Sequence, residues 1–313
     1  MDPVLKAVLT SWNWRFTILL VLALAGALYS IGWWRLRRRS QRRLRPTRRP
    51  GQPWPLSARW RLVSYHTGLI VAAIALMSPI DVLGGQLFFM HMIQHLLLIM
   101  IAPPLLLIAN PMATMLWGLP TDARRWLGGG LSKALHRESP FRHGLRIVTS
   151  PGVIWLTWVI VLVGWHDPNM YNWTLRNEVV HDVEHLSFFL VSMASWWRTT
   201  AAAPRIHGQL GLMGRIVLVL ALVPPNMFTG VAIAFAESPI YTYYVDVPRL
   251  WNISVMTDQR IGGILMWIPG SMMYIIAALV LVAQFLGQEE RKPSLPESKW
   301  ATDEALLAPG LKK

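Results

Sequence analysis

Seven stretches of this 313-residue chain stay apolar for about the 20 residues that a helix needs to cross a bilayer. They fall at roughly 15–34, 60–82, 87–109, 151–167, 179–197, 212–236 and 259–286. Hydrocarbon offers no water to an unpaired amide, so each stretch must close its own backbone hydrogen bonds and be helical. The fold class is therefore all-α: a polytopic membrane helix bundle of about seven transmembrane helices. Composition agrees, with 53% hydrophobic residues, 17 Trp and a mean hydropathy of +0.37. Within the first stretch, Ala25-Gly26-Ala27 resembles a signal-peptide cleavage site. The apolar run continues through Trp33-Trp34 into a block of arginines, which reads as a retained span with a stop-transfer signal.

Charge supplies the direction. The chain carries 30 Lys+Arg against 16 Asp+Glu, a net +14. Nine of the positive charges are arginines between Arg35 and Arg49, a run with no acid. The third loop adds Arg124, Arg125, Lys133, Arg137, Arg142 and Arg146, and the fifth adds Arg198, Arg205 and Arg215. The alternate loops are poor in positive charge. Basic loops stay cytoplasmic, so the N-terminus is expected outside and the C-terminus in the cytoplasm. The surplus charge then marks topology and some affinity for the lipid bilayer, and no nucleic-acid partner is expected.

Three regions follow: a first transmembrane helix with its Arg-rich cytoplasmic loop over 1–59, a six-helix membrane core over 60–286, and a Pro- and charge-rich tail over 287–313, expected to be disordered. Residues 120–150 are expected to form short amphipathic helices on the cytoplasmic surface. No segment outside the membrane is long enough for a catalytic domain, so the chain is not expected to be an enzyme. The absence of cysteine excludes disulfides, Cys-zinc sites, iron–sulfur clusters and a thiolate nucleophile.

Ionisable residues inside spans are costly and are functional candidates by default. The third span begins with His91 and His95, the fifth with His181 and His185 beside Glu184. Residues four apart share one helical face, so each pair can aim two imidazoles at one point. The fourth span leaves the membrane at His166 and the seventh enters at Asp258. On the expected orientation, all of these lie in the outer third of the membrane. Imidazole is the commonest protein metal ligand, and His with Met in the absence of Cys suits copper. His91, His95, His181 and His185 are the expected metal ligands, with His166 and Asp258 as auxiliary or ligand-orienting groups. Glu184 is expected to orient a ligand imidazole, and Met92 is an additional thioether. The same four His could instead grip a b-type haem in an electron carrier. The Pro103-Pro104 and Pro224-Pro225 pairs, which interrupt two spans, also allow a copper or proton transporter. His66, near the cytoplasmic end of the second span, is expected to bond a neighbouring helix. A zinc protease is the lesser reading of the HxxEH over His181–His185, because it leaves the second HxxxH unexplained.

Four ordered blocks resemble a known family. The first runs through His91-Met92-Ile93-Gln94-His95 to Ala102-Pro103-Pro104 and Asn110-Pro111. The others are Trp165-His166-Asp167-Pro168 with Tyr171, then His181-Asp182-Val183-Glu184-His185, then Asp258-Gln259-Arg260-Ile261-Gly262-Gly263 with Met266-Trp267-Ile268-Pro269-Gly270. Over about residues 60–286 they resemble the CtaG family of caa3-type cytochrome c oxidase assembly factors. The resemblance implies a multi-pass protein of the bacterial inner membrane that matures a haem–copper oxidase by handling copper. A haem–copper oxidase subunit would be its client and periplasmic copper chaperones its further partners. An unrelated single-span copper chaperone shares the short family name but relies on cysteines, which this chain lacks.

Overall fold

The computed structural model describes residues 10–42, 55–208 and 210–290. Arg43, Arg45, Arg48 and Arg49 of the arginine run, and the expected tail beyond residue 290, lie outside the described residues. All the regular secondary structure among the described residues is helical, with no strand.

Five helical segments are long and apolar enough to cross a membrane: Phe16–Gln41, Arg59–Met77, Phe88–Ile108, Leu212–Ala234 and Val255–Glu289. A sixth arises if Pro140–Val148 and Pro151–Trp165, bent by 53°, form one span. The remaining stretch is helical from Glu178 to Thr200, and its polar residues rather than its length set it apart. We number the helices in chain order: α1 (Phe16–Arg42), α2 (Arg59–Met77), α3 (Pro79–Gly84), α4 (Phe88–Leu96), α5 (Ala102–Ile108), α6 (Pro111–Gly118), α7 (Thr121–Ala134), α8 (Pro140–Val148), α9 (Pro151–Trp165), α10 (Pro168–Arg176), α11 (Glu178–Thr200), α12 (Leu212–Leu220), α13 (Val223–Ala234), α14 (Tyr243–Asp246) and α15 (Val255–Glu289).

Two boundaries differ from expectation for local reasons. The second span, expected to reach 82, ends at Met77. Pro79 forces Ser78 into an extended conformation, and the Ser78 hydroxyl then caps the separate helix α3 by accepting from the Ile80 amide at 3.2 Å. The last helix runs past Gly287 to Glu289.

The proline pairs bend their spans without breaking them. Between α4 and α5 the chain makes a π-helical turn, Leu97–Ile101. The Ile99 carbonyl would look to the amide of Pro103 or Pro104, and neither has one. Trp196 of α11 supplies the missing donor, its indole N–H meeting that carbonyl at 2.9 Å. The same repair recurs between α12 and α13. Pro225 cannot serve the Ala221 carbonyl, and the Trp155 indole does so at 2.7 Å. His66 lies between α2 and α1, its Nε2 3.0 Å from the Ser30 hydroxyl, which is the helix–helix bond expected of it.

Close crossings fix the bundle. A methyl group at Gly263 would stand 2.5 Å from the Ala234 amide nitrogen, and one at Gly230 would stand 2.7 Å from that of Trp267, so α13 and α15 meet backbone to backbone. On the far side, Gly32 and Gly118 bring α1 equally close to α6. Helices α7 and α8 lie apart from the core. Trp126 (80% exposed) and Phe141 (61%) stand out from them beside basic residues, the pattern expected of interfacial helices.

Candidate metal centre

Helix α4 carries His91 and His95, and its position is set by a residue 170 positions away. The Asp258 carboxylate, fully buried at the start of α15, accepts from the Phe88 and Phe89 amides at 3.0 Å each. An acidic group at a helix N-terminus satisfies free amides and complements the helix dipole. Arg249 pairs with the same carboxylate at 2.9 Å. One turn further on, Gly262 lets α4 lie tight on α15, since a methyl group there would stand 2.2 Å from a ring carbon of Phe88. His91 and His95 lie beside this contact on the same side of α4, turned toward α11.

Helix α11 begins with Asn177 as cap, its side chain accepting from the amides of Val179 and Val180. Glu184 and His185 on its second turn are buried with His91 and His95. One ligand atom from each of His91, His95, Glu184 and His185 lies within 4.8 Å of the other three. The Nε2 atoms of His91 and His95 are 2.8 Å apart, and each is 3.6 Å from an oxygen of Glu184. His185 packs its ring 5.4 Å from His91 and 5.2 Å from His95.

A buried polar atom without a partner costs free energy of the order of 1–3 kcal/mol, so clusters of them call for an explanation. Here Nδ1 of His91 and of His95, Nε2 of His185 and both oxygens of Glu184 have no hydrogen-bond partner. Nε2 of His166 is a further one, while its Nδ1 donates to the Leu162 carbonyl at 2.7 Å. Three imidazoles and a carboxylate, each with one ligand atom within 4.8 Å of the others and all buried, fit a metal ion.

Each expected residue therefore has a place. His91, His95 and His185 come together, joined by Glu184 as a potential direct ligand. His181 stands one turn outside this group, half-buried, with its ring 4.2 Å from that of His185 and 5.2 Å from that of His91. His166 closes the C-terminal end of α9, 6.2 Å from the His95 ring. Met92 packs against Gly262. Asp258 belongs to the α4 cap, and its cation is Arg249 rather than the neighbouring Arg260.

Other residues complete the site. Tyr171, Tyr241 and Tyr244 form a buried roof. The Tyr171 and Tyr244 hydroxyls meet at 3.1 Å, Tyr244 donates to the Gly84 carbonyl at 2.7 Å, and Tyr241 donates to the His166 carbonyl at 3.2 Å. Burial holds the Tyr244 hydroxyl's ionisation well above its ordinary range, so it remains a neutral donor. Gln94, between the two histidines of α4, anchors α3 and α2 by donating to Asp81 at 2.8 Å and to the Ala75 carbonyl at 2.9 Å. Arg15, just before α1, makes ion pairs with Glu178 and Asp182 on either side of His181. A polar residue inside the His91–His95 turn was a readable signal for Gln94, but no local pattern points to Arg15 or the tyrosines.

Comparison with known proteins agrees with this architecture. The family model for the cytochrome c oxidase caa3 assembly factor, Caa3_CtaG, matches residues 27–288. Uncharacterized proteins of Mycobacterium bovis and Mycobacterium tuberculosis are each 27% identical over 316 residues, covering 96% of this chain and 44% of theirs. One of Mycobacterium leprae is 26% identical over 254 residues, covering 78% of this chain and 36% of its own. The chain thus spans less than half the length of the curated relatives it matches. No solved structure matches it.

Proposed function

The chain belongs to the cytochrome c oxidase caa3 assembly factor family, and from that premise we propose that it binds copper at the buried histidine group and hands it to an oxidase subunit. The observation that carries this reading is that His91, His95, Glu184 and His185, all buried, each bring one ligand atom within 4.8 Å of the others. His181 and His166 are adjacent donors, and Met92 and Asp258 hold α4 in register. The role is that of a carrier and not an enzyme. In the proposed topology seven helices cross the bacterial inner membrane with the N-terminus outside, and residues 60–286 form the copper-bearing core. The ion then sits near the outer face, within reach of periplasmic copper chaperones and of an outward-facing oxidase copper centre.

Imidazole with carboxylate suits Cu²⁺ better than Cu⁺, which favours softer ligands, and serves hard ions such as Mg²⁺ poorly, since they require several oxygen ligands. A haem is less well served. A porphyrin needs a flat slot between its axial imidazoles, whereas these rings touch one another. A transport path beyond the group is also poorly supported, because His66 is engaged with Ser30 and with the Leu62 carbonyl.

The test is copper stoichiometry and affinity in the purified protein, with His91 and His95 replaced together by alanine. Loss of the bound copper is expected, along with loss of thermal stabilisation by copper, which at a hundredfold excess over Kd amounts to about 2.7 kcal/mol in the wild type. Unchanged stoichiometry and affinity in the double variant would sink the assignment.

A further inference from the structure

The buried group has a doorway. A cleft of about 410 Å³ opens at the end of the bundle where α11 begins. Asn13, Arg15, Asp81, Arg176, Glu178 and His181 line it. His91, His95, His166 and His185 are all buried, at most 8% exposed, whereas His181 is half-buried and belongs to both spaces. Its ring contacts those of His185 and His91 on one side and lines the cleft on the other. The flanking acids, Glu178 and Asp182, are exposed and held together by Arg15. Asp81 faces the same cleft and is tied through Gln94 to the turn between His91 and His95.

We propose that this cleft is the entry port for the metal ion and that His181 is a relay ligand, which takes the ion from water and passes it inward. The inference rests on the copper reading above. An ion moving directly from water to a sealed site must shed its hydration before any protein ligand replaces it, at a large cost in free energy. A half-exposed imidazole in ring contact with two buried ones divides that loss into single ligand exchanges. Arg15 restrains the port, because it offsets one of the two negative charges of Glu178 and Asp182 and thereby weakens the negative field that would draw a cation in.

A relay ligand affects rates, whereas a permanent ligand affects affinity. The experiment is stopped-flow loading of the full-length protein with Cu²⁺ in a chelator buffer, alongside equilibrium competition for Kd. His181→Ala should slow both uptake and release by about tenfold or more while leaving Kd close to the wild type, well short of the ~10–100-fold that loss of even a ligand-orienting partner typically costs. Arg15→Gln should speed uptake. His91→Ala with His95→Ala should abolish binding. If His181→Ala raises Kd as much as a single His91→Ala, His181 is a permanent ligand and the relay is wrong. If it changes neither rate nor affinity, or if Arg15→Gln slows loading, the port is wrong. A wild-type protein that binds no copper would overturn the functional reading itself, which is a separate outcome.

Discussion

At the scale of single residues, Glu184 and Asp258 are both buried carboxylates with opposite consequences. Asp258 accepts two backbone amides and pairs with Arg249, so its charge is compensated. Asp258→Ala would uncap α4 and leave Arg249 only its bonds to the Ile253 and Tyr244 carbonyls. Leaving the buried Phe88 amide and its Phe89 neighbour unsatisfied costs about 1–3 kcal/mol, and a fall of that size in unfolding free energy should appear in denaturation. Glu184 has no hydrogen-bond partner for either oxygen. Glu184→Gln should therefore leave the metal-free protein as stable as the wild type or more so, while weakening copper binding by at least the ~10-fold that loss of a ligand-orienting partner costs. Equal copper affinity in this variant would show that the carboxylate is no ligand. The contact between His91 and His95 was legible in the sequence, because i,i+4 spacing on a helix fixes a shared face. The inclusion of Glu184 among the potential ligands was legible only as proximity. The role of Asp258 was not legible, because it depends on how α15 meets α4 across 170 residues. His181 and His185 looked equivalent in the sequence, yet one helical turn separates a half-buried ring from a buried one.

At the scale of helices, the sequence showed where proline would interrupt a span but not what would mend it. Seventeen tryptophans in an apolar chain read as bulk. Two of the indoles that donate hydrogen bonds, Trp196 to the Ile99 carbonyl and Trp155 to the Ala221 carbonyl, each fill a vacancy that proline creates in a different helix. Trp196→Phe keeps most of the volume but leaves the Ile99 carbonyl unsatisfied in a dry environment. It should lower the free energy of unfolding by about 1–3 kcal/mol, measured by denaturation in detergent. Trp126→Phe, on the exposed face of α7, is the control and should leave stability within about 0.5 kcal/mol of the wild type. If the two variants are equally stable, the indole bonds are incidental to the bends. Because the bend starts within one turn of His95, Trp196→Phe should also disturb the copper site through the position of α4.

At the scale of the whole molecule, helix number and orientation decide whether the histidine group faces the oxidase or the cytoplasm. Length and apolarity single out five segments, or six with the bent pair, and Glu178–Thr200 falls below them because it carries the site. A helix that spends its hydropathy on His181, Glu184 and His185 can still cross if those side chains face the bundle, and Glu184 and His185 are buried inside it. The exposed side of the same helix shows Val179, Val183, Leu186 and Leu190, an apolar stripe at helical spacing. Such an amphipathic design would hide a spanning helix from any average over its length. The proposed seven crossings would put the two ends on opposite sides, with the basic residues of α7, α8 and the loop after α11 marking the inside. The chain has no cysteine, so single cysteines can report this directly. At Trp14→Cys and Asn169→Cys a membrane-impermeant maleimide should label intact cells. At Gly129→Cys and Glu290→Cys it should label only after lysis. Positions 14 and 290 labelled from the same side would exclude an odd number of spans. The reverse of the whole pattern would turn the histidine group toward the cytoplasm, where it could not load an outward-facing copper centre, and the handover reading would fall even if the site binds copper.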